Sequence, residues 1–172
     1  MTKDESGEFY ERDLSSQDFS EADLEGANLR GANLFNSDLR GANLKGAVLE
    51  GANLTLAYLT NADIEGANLK GAHLGLTNFE GANLDRAIMK GAILQKAKLK
   101  GANLEGADLS KAGLGDADLR GANLKGANLK SANLANVNLE GANLKGANLE
   151  DTYLDGANLK GAIMDPDSSE DT

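Results

Sequence analysis

A chain of 172 residues with a formal charge of −10, no Cys, no Trp and a single Pro is sized for one domain. Without cysteine there is neither a disulfide framework nor a thiolate metal site, and four Phe with three Tyr are too few rings for an aromatic core. No apolar run is long enough to span a bilayer and MTKDESGEFY lacks the apolar stretch of a signal peptide, so the expectation is a soluble cytoplasmic protein, a leader removed before Met1 aside.

In chain order, residues 1–13 come first, an acidic segment of net charge −3. It reads as a partial N-terminal cap, with Phe9 a candidate start of an extra degenerate unit. From residue 14 to 164 the chain repeats every five residues, as in GANLR GANLF and GANLK GANLE. Centring each unit on its Leu gives Leu14, Phe19, Leu24 and every fifth residue to Met164, 31 units without insertion or deletion. The centre is Leu in 26 and otherwise Phe19, Ile64, Phe79, Met89 or Met164. Two residues earlier stands Ala in 25 units, the residue just before the centre is Asn or Asp in 22, and Gly stands two after it in 17. Arg12 and Gln17 replace Ala at the inward positions of the first coil. Pro166 lacks the N–H a further ladder needs, and 165–172, with four acids and no base, reads as a disordered acidic tail. The repeat body therefore carries only −3 of the total charge.

A five-residue period cannot be an amphipathic α-helix. It drifts by about 140° per repeat at 3.6 residues per turn, so the leucines would spiral round every face. A flat strand fails as well, because its side-chain period is two. A solenoid satisfies the pattern, with Leu and Ala inward and the other three positions toward water.

These units resemble the pentapeptide-repeat family, whose motif is A(D/N)LXX, over 12–164. The resemblance implies an all-β, right-handed quadrilateral parallel β-helix with four pentapeptides in each twenty-residue coil, here seven to eight coils. At a strand spacing of about 4.8 Å the rod is roughly 37 Å long. Similar regular proteins abound in cyanobacteria. The family also includes quinolone-resistance proteins that mimic DNA and bind DNA gyrase, an alternative weighed below.

A second period supports four units per coil. After every fourth centre, beginning at Leu14, stand Ser15, Phe35, Thr55, Gly75, Gln95, Gly115, Ala135 and Asp155, of which one is charged; in the other 23 units 20 are charged. The next position is Gly once in this set, at Gly156, against 16 of 23 elsewhere. One of the four faces is thus expected to be nearly uncharged. Phe35, Leu56 and Leu76 point outward there, with Tyr58, Ile93 and His73 extending the region, and an apolar cluster of this kind marks a candidate binding surface.

Columns of residues twenty apart, such as Glu25, Lys45, Glu65, Asp85, Glu105, Lys125 and Lys145, mix signs as cross-strand pairs do. Asn103, Asn123 and Asn143 are placed to form an amide ladder. His73 is the only His and has no positioned partner for acid–base work. No nucleophile arrangement or phosphate loop is present, and the short acidic run Glu65, Asp85, Glu105 sets no coordination geometry. The expectation is no catalytic residue, no metal and no cofactor. Acidic ends and the lack of a continuous basic column along the rod argue against nucleic acid. The sequence therefore reads as a rigid scaffold that binds another protein through Phe35, Leu56, Tyr58, Leu76 and Ile93, as a monomer or weak end-to-end dimer, with no membrane association. Against gyrase stand the near-neutral body and the ending DPDSSEDT.

Overall fold

The structure is a computed structural model and describes residues 9–166. Residues 1–8 and the expected tail 167–172 lie outside the described residues. From Asp13 to Ile163 the residue before each centre forms a parallel bridge with the residue twenty positions on: Asp13 with Asn33, Tyr58 with Asn78, His73 with Ile93, Asn143 with Ile163. One coil is therefore four pentapeptides. The bridges are single residues rather than strands, because a two-residue turn follows every third residue.

One unit shows why these residues wind this way. The Asn103 N–H donates to the Ala82 carbonyl of the preceding coil at 2.9 Å, and the Leu104 N–H to the Asn123 carbonyl of the next at 2.7 Å. The Gly106 N–H reaches the Lys125 carbonyl at 2.9 Å, and the Ala107 N–H closes the turn on the Leu104 carbonyl at 3.1 Å. The remaining donor, the Glu105 N–H, goes to the Asn103 Oδ1 at 3.3 Å. All five backbone donors are thus satisfied, as a compact backbone requires. Asn or Asp is needed before the centre because its side-chain oxygen takes the fifth.

The turn dictates the glycines. Every described residue two after a centre, up to Gly161, has positive φ, between 51° and 71°. With the turn hydrogen bond this is a type II turn, which favours Gly at that position. The Ala and Leu side chains form one continuous core from Phe9 to Leu144, with Phe79 among its largest fully buried members.

The two ends differ. At the first described residue, Phe9, the N–H bonds to the Asn28 carbonyl at 2.7 Å, and Phe9, Leu14, Phe19 and Leu24 are all buried. Arg12 and Gln17, which stand in place of Ala in the first coil, are exposed. At the other end Leu149, Leu154 and Leu159 are only partly buried and Met164 is exposed.

On one face an amide ladder runs unbroken from Asp63 to Asn143. Asn83 donates to Asp63, Asn103 to Asn83, Asn123 to Asn103 and Asn143 to Asn123, at 3.0–3.2 Å. The expected ladder through Asn103, Asn123 and Asn143 is therefore present. Among the charge columns, Lys125 pairs with Glu105 at 3.0 Å and Lys45 with Glu65 at 3.4 Å. Glu50 lies between Arg30 and Lys70.

Candidate functional site: one modified corner

The expected uncharged face is a corner. Phe35, Leu56 and Leu76 all occupy turns, between the face that carries Asn33, Asn53, His73 and Ile93 and the face that carries Asp38, Tyr58, Asn78 and Lys98. The two residues after each centre make the bend, so only the three before the bend lie on a flat side. Tyr58 stands on one adjoining face, His73 and Ile93 on the other. Phe35, Leu56, Tyr58, Leu76 and Ile93 are between 39% and 48% exposed, and His73 is exposed as well.

Consecutive coils are tied together along this corner. The Asn36 N–H donates to the Thr55 carbonyl at 3.0 Å, the Leu56 N–H to the Gly75 carbonyl at 3.1 Å, and the Leu76 N–H to the Gln95 carbonyl at 3.0 Å. Leu56 and Leu76 sit at φ +63° and +58°, and they are the only apolar side chains at positive φ among the described residues. An L-residue there costs roughly 1–2 kcal/mol through the clash of Cβ with the carbonyl oxygen. Elsewhere Gly takes the same conformation at 17 positions.

Buried polar groups also lie beneath this corner. Ser37 and Thr77 are fully buried in place of the usual Ala. The Ser37 hydroxyl donates to the Leu34 carbonyl and the Thr77 hydroxyl to the Leu54 carbonyl, both at 2.7 Å. Thr77 thereby pins the turn bearing Leu76 to the one bearing Leu56. Thr77→Val keeps the shape and leaves the Leu54 carbonyl its bond from the Ala57 N–H, at 2.9 Å. The expected loss is about 1 kcal/mol, read as a lower urea midpoint; an unchanged midpoint would show that the hydroxyl does not hold the corner.

The amide ladder stops here. On the Ile93 face it runs from Asp13 through Asn33 to Asn53 and ends at His73. Where Asn and Asp are missing, the donor they would accept is left over. The backbone N–H groups of Gly75, Gln95 and Gly115, stacked on three successive coils, have no hydrogen-bond partner among the described residues. Gly115 follows Gly113 as Gly75 follows His73 and Gln95 follows Ile93.

Over three coils of the corner the charge is one-sided, and Asp116 stands on the next. Residues 53–58, 73–78 and 93–98 contain no Asp or Glu and include Lys96 and Lys98. On the Tyr58 face, Asp38 and Asp118 are each clasped by an arginine two residues on. The Arg40 and Arg120 guanidiniums hold these carboxyls below the usual carboxylate range through hydrogen bonds to their oxygens. From Arg86 to Lys100 the chain carries five bases and no acid, winding about three quarters of the way round the rod. Lys90, Lys96, Lys98 and Lys100 form no ion pair among the described residues. Reading charge only along columns split this belt across different corners and concealed it; the linear run 86–100 was the signal.

No group of three or more His, Asp or Glu that could hold a metal occurs among the described residues, and no described helix is long and apolar enough to cross a membrane.

These features define a parallel β-solenoid with four like sides and one altered corner. The chain belongs to the pentapeptide repeat family, whose repeat pattern matches in eight copies over 13–36, 37–75, 62–101, 72–110, 94–126 and 132–165. Its fold is similar to that of a trypsin-treated form of QnrB1, a plasmid-mediated fluoroquinolone resistance protein, with TM-score 0.68 and 22% identity over 96% of this chain and 86% of that one. It is 38% identical to the pentapeptide repeat protein alr5209 of Nostoc PCC 7120 over 59% of this chain and 84% of that one, with TM-score 0.51. It is 36% identical to HetL, a pentapeptide repeat protein involved in heterocyst differentiation regulation in Nostoc sp. strain PCC 7120, over 94% of this chain and 78% of that one, with TM-score 0.42. No curated protein matches the chain.

Proposed function

We propose that the protein is a rigid, non-enzymatic scaffold that binds another protein through the corner built from Phe35, Leu56, Tyr58, Leu76 and Ile93. The observation that carries this reading is the pair Leu56 and Leu76. Each holds an exposed apolar side chain in a backbone conformation that Gly adopts without strain. Stability favours Gly there and solubility favours Gly or the polar residues found at the other positive-φ positions, so Leu at both points to a use for the side chain. The rod is taken as a right-handed winding of seven to eight coils, as the family implies, and 14–164 as its repeat domain.

The gyrase-binding alternative is disfavoured by charge. A DNA mimic presents acid along its length, and here the middle of the rod carries the basic belt 86–100. The acid concentrates toward the ends: Glu11, Asp13, Asp18, Glu21, Asp23 and Glu25 in the first coil, Glu150, Asp151, Asp155 and Asp165 near the last. Like charge at both ends also opposes end-to-end stacking, which favours a monomer.

The test compares proteins retained by the wild type with those retained by a Phe35→Ser, Leu56→Ser, Leu76→Ser triple variant of unchanged thermal midpoint. The expected result is loss of a specific partner from the variant. Identical partner sets would remove the corner as the binding surface.

A further inference from the structure

We infer that the occupant of this corner is a protein segment that is both acidic and apolar, its carboxylates received by backbone N–H groups and lysines and its apolar side chains by the leucines. This deepens the scaffold reading and rests on it.

Three independent observations converge on carboxylate. The first is the row of unbonded N–H groups at Gly75, Gln95 and Gly115. Where Asn or Asp precedes the centre that donor is taken by its side-chain oxygen, as the Thr55 N–H is by Asn53 at 3.1 Å; it is also left over at Glu50, Thr60, Lys90, Lys100 and Asp155, but only at Gly75, Gln95 and Gly115 on three successive coils of one corner among the described residues. The corner therefore presents donors in a geometry that a side-chain oxygen already satisfies in the same rod. A partner carboxylate would supply the oxygen that His73 and Ile93 do not. The second is Lys96, which follows Leu76 on the same corner one coil on, and Lys98 on the adjoining face; neither has an ion pair among the described residues. Lys90 flanks Ile93 from the other side. The third is the lack of any Asp or Glu over 53–58, 73–78 and 93–98; Asp38 beside the Phe35 turn is paired with Arg40, and exposed Asp116 beside Gly115 directs a carboxylate to the Gly75 and Gln95 donors.

The apolar row Phe35, Leu56, Leu76 excludes a purely ionic ligand, because its burial contributes only against apolar side chains. Coil spacing is compatible with a helical segment. A helix presents a row of side chains every 5.4 Å or so and the coils repeat at about 4.8 Å, so over three coils the two registers part by only about 1.2 Å. Nucleic acid and anionic lipid would meet the same lysines, but a short protein segment can bring a carboxylate to the Gly75 donor and an apolar side chain to the adjacent Leu76 together.

The test selects short random peptides displayed on phage against the full chain, with counter-selection against Leu56→Gly/Leu76→Gly, which retains the turn. The expected winners combine Asp or Glu with Leu, Ile or Phe. A fluorescein-labelled winner should then bind Lys96→Glu/Lys98→Glu about tenfold more weakly in anisotropy titrations and lose affinity as salt is raised. His73→Asn/Ile93→Asn, which supplies the missing side-chain oxygens, should weaken it as well while leaving the melting temperature unchanged or higher. Corner-dependent winners of neutral or basic composition, insensitive to the lysine reversal, would overturn this inference and leave the scaffold reading standing. Failure to enrich any peptide that depends on Leu56 and Leu76 would overturn both. Lysine-dependent binding of a labelled oligonucleotide or of phosphatidylserine vesicles, with no peptide enriched, would reassign the belt to phosphate.

Discussion

Replacing Leu56 and Leu76 together with glycine is expected to make the protein more stable while abolishing binding at the corner. Both residues sit in the left-handed region, at φ +63° and +58°, where an L-residue carries roughly 1–2 kcal/mol of steric cost. Glycine relieves that cost and loses about 0.5–1 kcal/mol in unfolded-chain entropy. The net gain is on the order of 0.5–1 kcal/mol per site. The surrounding geometry already accommodates Gly, since Gly51, Gly71 and Gly91 adopt φ +67°, +63° and +65° at the preceding corner of successive coils. Urea unfolding and thermal melts read the gain, and the peptide titration reads the loss. The two readouts moving in opposite directions is the signature of a site maintained at the expense of stability. If the melting temperature falls instead, the leucines are held by packing along the corner and their strain says nothing of function.

Truncating the core beneath this corner should have the largest effect on stability. Phe79 is fully buried at a centre position, two residues beyond Thr77. Phe79→Ala is expected to cost about 3–5 kcal/mol, the lost transfer energy plus an unfilled cavity. Phe79→Leu, which restores the commonest centre residue, should cost well under half of that. In a solenoid each coil contacts only its neighbours, so a weak middle coil divides the rod. The alanine variant should therefore show a lower urea midpoint together with a shallower transition, and faster amide exchange in the coils either side. A wild-type midpoint for Phe79→Ala would mean that the core does not depend on close packing at that level.

Much of this molecule is legible in its sequence, because one short rule is repeated without interruption. Period five, with Leu and Ala at fixed offsets, excludes helix and flat strand, and the charge next to the centre reveals the twenty-residue coil. The same rule singles out Phe35, Leu56, Tyr58, Leu76 and Ile93 as departures. Its reach stops at geometry. A linear pattern states which positions face outward, and it does not state that two of those three form a bend. For that reason the altered strip reads as a face from sequence and lies on a corner in the fold. His73 shows the same boundary. It is readable as an exposed variant, but its consequence, an uncapped Gly75 N–H, depends on where the Asn oxygen goes in the other units.

The sequence by itself determined a solenoid and its inward positions, since Leu and Ala at a period of five exclude helix and flat strand, and its twenty-residue charge overlay supported the four-unit coil that the family resemblance implies. Only the tertiary structure decided that Leu56 and Leu76 occupy left-handed turns, that Gly75, Gln95 and Gly115 stack unbonded donors, and that Lys90, Lys96 and Lys98 surround them. Those relations join residues twenty apart through the bridge register, and the sign of φ at a corner follows from closing the turn, which the identity of a leucine does not disclose.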